Sequence, residues 1–179
     1  MAPPVFGISG WKNSGKTTLT ERLIAGFAQH GLAVCSVKHS HHPVMAEDPG
    51  TDSARHANAG AVATALVWPS GWMLDGMLMD EAEPELAAVL ACLPACDLVL
   101  VEGFKSAPHD KIEVRRAGQP DARPLEDRVP GIVAIAADHV VETALPCFAL
   151  DDTDSIMAFI ARRSALPLPL GKPGSGGVS

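Results

Sequence analysis

The sequence predicts an α/β protein: a P-loop three-layer arrangement with a mostly parallel sheet between helices, and an antiparallel hairpin added at a sheet edge. Two observations carry this. Short β-branched apolar runs recur along the chain and alternate with segments of helical period. A glycine-rich turn, Gly10 to Thr17, joins the first such run to the clearest amphipathic helix.

Strands are expected at Val5 to Ser9, Ala33 to Lys38, Ala61 to Val67, Leu98 to Val101 and Ile132 to Ala136, with a short one at Cys147 to Leu150. Leu19, Leu23, Ile24 and Phe27 share one face of the first helix, and Gly31 is placed to cap its C-terminus. Leu86, Val89, Leu90 and Leu93 mark a second helix between Pro84 and Pro94. Ile156, Phe159 and Ile160 mark a third, with Thr153 or Asp152 as N-cap and Arg162 and Arg163 complementing the dipole of its last turn. The run Trp68-Pro69-Ser70-Gly71-Trp72 reads as the turn of the hairpin. Ile112 and Val114, alternating with charges, predict another edge strand, and 117–130 a polar, proline-containing loop.

Composition narrows the function. With 179 residues, 47% hydrophobic and 20% charged, the chain has apolar material for one real core. Fourteen Lys and Arg against 21 Asp and Glu give a net charge of −7, which argues against a nucleic acid held through its phosphates. Tyr is absent, and aromatics at 4% supply no platform for stacking bases. No apolar run approaches the roughly 18 residues of a membrane span. Four cysteines without a CxxC pair, and an N-terminus without a signal-peptide pattern, predict a reduced cytoplasmic protein.

The strongest chemical signal is Gly10-Trp11-Lys12-Asn13-Ser14-Gly15-Lys16-Thr17, a full GxxxxGK[ST] phosphate-binding loop between strand and helix. Its glycines let successive backbone N–H groups curl around a phosphate, Lys16 reaches the terminal phosphates, and the Thr17 hydroxyl is suited to ligate Mg²⁺. Oriented dipoles and one lysine thus let an acidic protein hold a polyanion. Leu98 to Val101 followed by Glu102 and Gly103 has the form of a Walker B element, an acid at a strand tip beside that loop. Lys38 ends the second expected strand, and Asp52 lies further along. In doubly wound sheets the ligand lies outside the carboxyl ends of the strands, so these groups are expected to converge. Lys38 suits a γ-phosphate or a substrate anion. Asp52 suits either a second carboxylate near Mg²⁺ or simple helix capping, a role Thr51 also fits.

His39, His41 and His42 invite a zinc reading with Cys35, but tetrahedral closure from this segment is awkward, and solvated histidines or neutral donors to a phosphate fit better. Asp138, at the end of the fifth strand, suits recognition of guanine N1–H and its 2-amino group, although the Asn-Lys-x-Asp signature is missing and a strand-end Asp also caps ordinary turns.

The segments GWKNSGKTTL, VKHSHH, DPGTDSARHANAGA, DLVLVEGFK and KIEVRR together resemble the molybdopterin-guanine dinucleotide biosynthesis adapter proteins, the MobB family, over Val5 to about Ala161. The resemblance implies a GTP-binding protein, usually a homodimer, with slow GTPase activity at most, which assists the enzyme that joins GMP to molybdopterin. It implies a phosphate loop from Gly10 to Thr18, Glu102 as the Walker B acid, Lys38 and Asp52 in the second-strand motif, and Mg²⁺ with GTP as ligands. The partners it implies are a MobA-type molybdopterin guanylyltransferase, a second copy of the chain and molybdopterin itself. Trp11 stands where dimeric P-loop ATPases carry a signature lysine, so a lysine acting across a dimer does not follow, even with Lys12 beside it. The runner-up is an ATP-dependent enzyme similar to dethiobiotin synthetase, against which Phe104-Lys105 after Glu102-Gly103 weighs. Residues 1–164 are expected to form the nucleotide-binding domain, and the Pro/Gly/Ser-rich stretch 165–179 a tail the core does not need.

Overall fold

The computed structural model describes residues 2–40, 51–76, 83–119 and 123–167. The chain divides into two compact units, one built from 1–39 and 93–179 and the other from 40–92. In order the elements are β1 (Val5–Gly10), α1 (Lys16–Gln29), β2 (Val34–Lys38), α2 (Asp52–Asn58), β3 (Ala63–Trp68), β4 (Gly71–Gly76), α3 (Leu86–Ala91), β5 (Leu98–Glu102), β6 (Lys111–Arg115), β7 (Ile132–Ala137), β8 (Cys147–Ala149) and α4 (Thr153–Arg163).

The first unit holds a six-stranded sheet in the order β2-β5-β1-β6-β7-β8, with every neighbouring pair parallel. Its core joins Phe6, Ile8, Leu98, Leu100, Ile112 and Val114 to Leu19, Leu23 and Phe27 of α1 and Ile156, Phe159 and Ile160 of α4. Phe6 and Phe159 meet edge to face at 6.5 Å. Gly31, with φ 80°, ends α1 as expected. Its N–H bonds to Ala28 O and that of Leu32 to Phe27 O, the double closure of a Schellman motif. Asp152 accepts from Ser155 N at 3.1 Å and is the N-cap of α4. Leu166, within the stretch read as a tail, packs against the core. Residues 168–179 lie outside the described residues.

One expectation is overturned. Lys111 to Arg115 is not an edge strand: β6 lies between β1 and β7, and Lys111, Ile112, Glu113 and Val114 are buried. Alternating charges ordinarily mark a solvent face, but here each charge has internal partners. The Lys111 ammonium donates to Ala107 O, to His109 O at 2.9 Å and to Pro130 O at 2.8 Å. Glu113 accepts from Arg115 Nη2 at 2.8 Å and from Leu125 N at 3.1 Å. Leu125 and Val129, in the segment expected to be a polar loop, are themselves buried.

Beside Lys111, both ring nitrogens of His109 are buried without a hydrogen-bond partner among the described residues. Burial, reinforced by the Lys111 ammonium and opposed by Asp110, lowers the His109 pKa to about 4. An unfolded histidine takes up its proton near 6.5, so between those values the unfolded chain binds more protons, and stability falls as pH drops through the window. The expected loss is on the order of 2 kcal/mol. Urea melts at pH 7 and pH 4.5 check it: His109→Gln should lose distinctly less stability on acidification than the wild type, and equal losses would contradict the assignment.

In the second unit β3 and β4 pair antiparallel from Ala63↔Gly76 to Trp68↔Gly71, turning at Pro69-Ser70 as expected, but they form a two-stranded sheet of their own and, among the described residues, are not hydrogen-bonded to an edge of the parallel sheet. Thr51 caps α2, its hydroxyl accepting from Ala54 N at 3.3 Å.

Candidate phosphate-binding site

Between the end of β1 and the start of α1 the chain makes a tight concave turn that uses positive φ at Gly10 (154°), Asn13 (64°) and Gly15 (98°). A Cβ at Gly10 would lie 2.5 Å from Ser14 Oγ and 2.7 Å from Val114 O, so a side chain there would push the loop off β6. The Ser14 hydroxyl is buried with no hydrogen-bond partner among the described residues. α1 opens without a capping side chain or an acidic residue in its first turn, whereas α2 and α4 have both. Its positive end is left to an external anion.

Lys16 Nζ donates to Trp11 O at 2.6 Å, closing the loop on itself. Burial holds the Lys16 pKa below the usual lysine value; Glu102 opposes this, and the cations Lys105 and Lys38 reinforce it. Thr17 Oγ1 lies 3.1 Å from both carboxylate oxygens of Glu102, the last residue of β5, which is 8% exposed. Lys38 Nζ, from the tip of β2, donates to Thr17 Oγ1 at 3.2 Å and stands 3.6 Å from Glu102 Oε2. Parallel register explains the meeting, since Lys38 pairs with Glu102 and Glu102 with Ile8. Lys16, Thr17, Lys38 and Glu102 are therefore one constellation. A hydroxyl and a carboxylate are the hard oxygen donors that suit Mg²⁺, so Thr17 and Glu102 fit that ion.

Beyond Gly15 and Thr18 the loop opens onto a cavity of about 640 Å³, also lined by Arg22, Asp138, His139 and Asp151. Asp138 sits at its rim just past β7, but much of its carboxylate is occupied. Oδ1 accepts from Ala117 N at 2.7 Å and meets His139 Nδ1 at 2.9 Å, while Oδ2 is 3.6 Å from Arg116. The His139 contact, then the Ala117 N–H, holds its pKa below the usual range. Asp52 belongs to the second unit, where it opens α2 and pairs with Arg55 at 3.4 Å. Lys12 lies in the loop, its carbonyl accepting from Gln119 at 3.2 Å. The His39 ring stacks on Phe104 at 4.8 Å, and His41 and His42 lie outside the described residues. Among the described residues no group of three or more His, Cys, Asp or Glu is arranged to hold a metal.

Sequence reasoning missed Arg22, His139 and Asp151 as cavity residues, because nothing in their local pattern marks them. It also missed that Lys105 lies over the Trp11 ring, 4.6 Å from its centroid.

The family model described as molybdopterin guanine dinucleotide synthesis protein B, MobB, matches residues 5–138. The chain belongs to the MobB family. The Escherichia coli (strain K12) molybdopterin-guanine dinucleotide biosynthesis adapter protein is 31% identical over 88% of this chain and 91% of its own. The Haemophilus influenzae adapter protein of the same name is 34% identical over 78% and 77%. Among solved structures, a MobB homolog from Bacillus stearothermophilus superposes with a TM-score of 0.70 at 29% identity, covering 90% of this chain and 97% of that one. Bacillus subtilis MobB gives 0.71 at 26%, covering 90% and 98%. The parallel-sheet fold is that of MobB, and the segment matched by the MobB model contains the loop, Lys38, Glu102 and Asp138.

Proposed function

We propose that this chain is a Mg-GTP-binding adapter in molybdopterin guanine dinucleotide biosynthesis, which presents its nucleotide, or its nucleotide-bound state, to a MobA-type guanylyltransferase. The observation that carries the nucleotide half is the meeting of Thr17, Glu102 and Lys38 beside an uncapped P-loop helix. The pathway half rests on family membership and on the curated relatives, which are named adapter proteins of that biosynthesis. In this reading the loop amides and Lys16 hold the phosphates, Thr17 and Glu102 hold Mg²⁺, and the base enters the cavity past Thr18, with Asp138 at its rim. Bound Mg²⁺ would neutralise phosphate charge. Lys38 offers a second cation, and hydrolysis is secondary.

Homodimer formation belongs to the same proposal. It is supported by the apolar surface of the hairpin, where Val67 is 74%, Trp72 60% and Leu74 57% exposed. Molybdopterin is a further candidate ligand. Among the described residues no helix is long and apolar enough to cross a membrane, and four free cysteines suit the cytoplasm.

Calorimetric titration of the full chain with Mg-GTP and Mg-ATP is expected to show tighter GTP binding, with turnover below about one per second. Equal or better ATP binding would overturn the guanine assignment and favour chemistry like that of dethiobiotin synthetase. Co-purification with a molybdopterin guanylyltransferase, with and without GTP, tests the adapter role.

A further inference from the structure

The residue at the second position of the loop, Trp11, meets three cations, one of them Arg123, whose guanidinium lies 5.3 Å from its ring centroid. Its carbonyl accepts from the Lys16 ammonium at 2.6 Å, and the Lys105 ammonium sits 4.6 Å from its ring centroid. The ring is fixed in place, because its Nε1–H donates to Arg123 O at 2.8 Å. Lys105 reaches this position through an unusual turn. Immediately after β5, Gly103 and Phe104 both take positive φ, 101° and 44°, and Ala107 N then bonds back to Phe104 O at 3.1 Å. A bulky aromatic residue seldom adopts that conformation. Phe104 is kept there by stacking on His39, and a Cβ at Gly103 would come within 2.6 Å of His39 Cβ. The strained turn therefore aims Lys105 back over the phosphate loop.

The charge balance points the same way. The whole chain carries −7, yet Lys38 stands 3.6 Å from the buried Glu102 carboxylate, and Lys16 and Lys105 meet the carbonyl and the ring of the same residue, Trp11. Holding like charges together is unfavourable unless an anion joins them.

We propose that Lys105, poised on the Trp11 ring, binds the terminal phosphate of the nucleoside triphosphate, with Trp11 as the residue that positions it. The assignment rests on the nucleotide reading above. The distal phosphate is specified because a P-loop lysine reaches the β and γ phosphates, and Lys105 flanks the residue that holds Lys16.

The test uses the full chain with Trp68→Phe and Trp72→Phe, which leaves Trp11 as the sole fluorophore of the three tryptophans. Lys105→Met keeps the alkyl packing and removes the charge. It is expected to weaken Mg-GTP binding about tenfold or more and Mg-GDP binding less than about threefold. Lys105→Arg should restore most of the GTP affinity. Trp11 emission should respond to GTP more than to GDP, and lose that difference in Lys105→Met. Lys105→Gln repeats the measurement should methionine disturb the loop. Equal losses for the two nucleotides would show a merely structural role, and unchanged affinities would show none; either defeats the assignment while the nucleotide reading stands. If the unsubstituted chain binds neither nucleotide, both fall.

Discussion

Lys16→Ala should abolish measurable Mg-GTP binding, weakening it by at least about 100-fold, while the melting temperature moves by no more than about 2 °C. The asymmetry follows from the surroundings of Lys16. The Lys16 ammonium is partly desolvated, faces the cations of Lys38 and Lys105, and donates to a carbonyl of its own loop. Its removal relieves repulsion about as much as it costs contact. Toward a triphosphate the same group would make charge-assisted bonds to more than one oxygen, each contributing about 1.5–3 kcal/mol. Calorimetry with a parallel thermal melt separates the two effects. GTP affinity within a few-fold of wild type in a well-folded variant would remove Lys16 from the site.

That site was legible because its signal is local. Glycines at Gly10 and Gly15, a strand before and an amphipathic helix after, together state a backbone conformation within a few residues, and Glu102 was legible from four apolar residues ahead of it. The meeting of Lys38 with Glu102 required only that both end neighbouring parallel strands. What escaped depends on partners remote in sequence. The alternation of Lys111, Glu113 and Arg115 gives no hint that Pro130 O, Leu125 N and Glu126 will satisfy these charges inside the protein. Asp138 looked like a group awaiting a base, and only the folded chain shows Ala117 and His139 already on its Oδ1. The Trp11 and Lys105 pairing was hidden in the same way, since it depends on the positive φ of Phe104, which no residue preference announces.

Glu113→Ala should destabilise the fold by about 3 kcal/mol, lowering the melting temperature by roughly 10 °C. Glu113 is 1% exposed and carries two jobs: one oxygen accepts from Leu125 N, and the other meets the Arg115 guanidinium. Alanine leaves a buried N–H without its acceptor and Arg115 with Glu126, at 2.9 Å, as its one remaining ion-pair partner among the described residues. Both losses fall in low-dielectric surroundings where uncompensated polar groups are costly. Glu113→Gln, which keeps an oxygen for Leu125 N and gives up the charge, should lose about half as much. Chemical denaturation of the two variants checks the order. A change below about 0.5 kcal/mol for alanine would mean that the buried pair is dispensable.

β2 and β5 are adjacent in the sheet, yet Ala33 N reaches Asp97 Oδ2 across 64 positions of chain. Closing so wide a loop carries an entropic cost, so this seam is expected to form after the local turns and helices. The same seam sets Lys38 against Glu102. A nascent chain can therefore curl its glycine loop early, but cation and carboxylate come into register only once β5 has been made and has docked, so their meeting reports that the chain has folded past that strand.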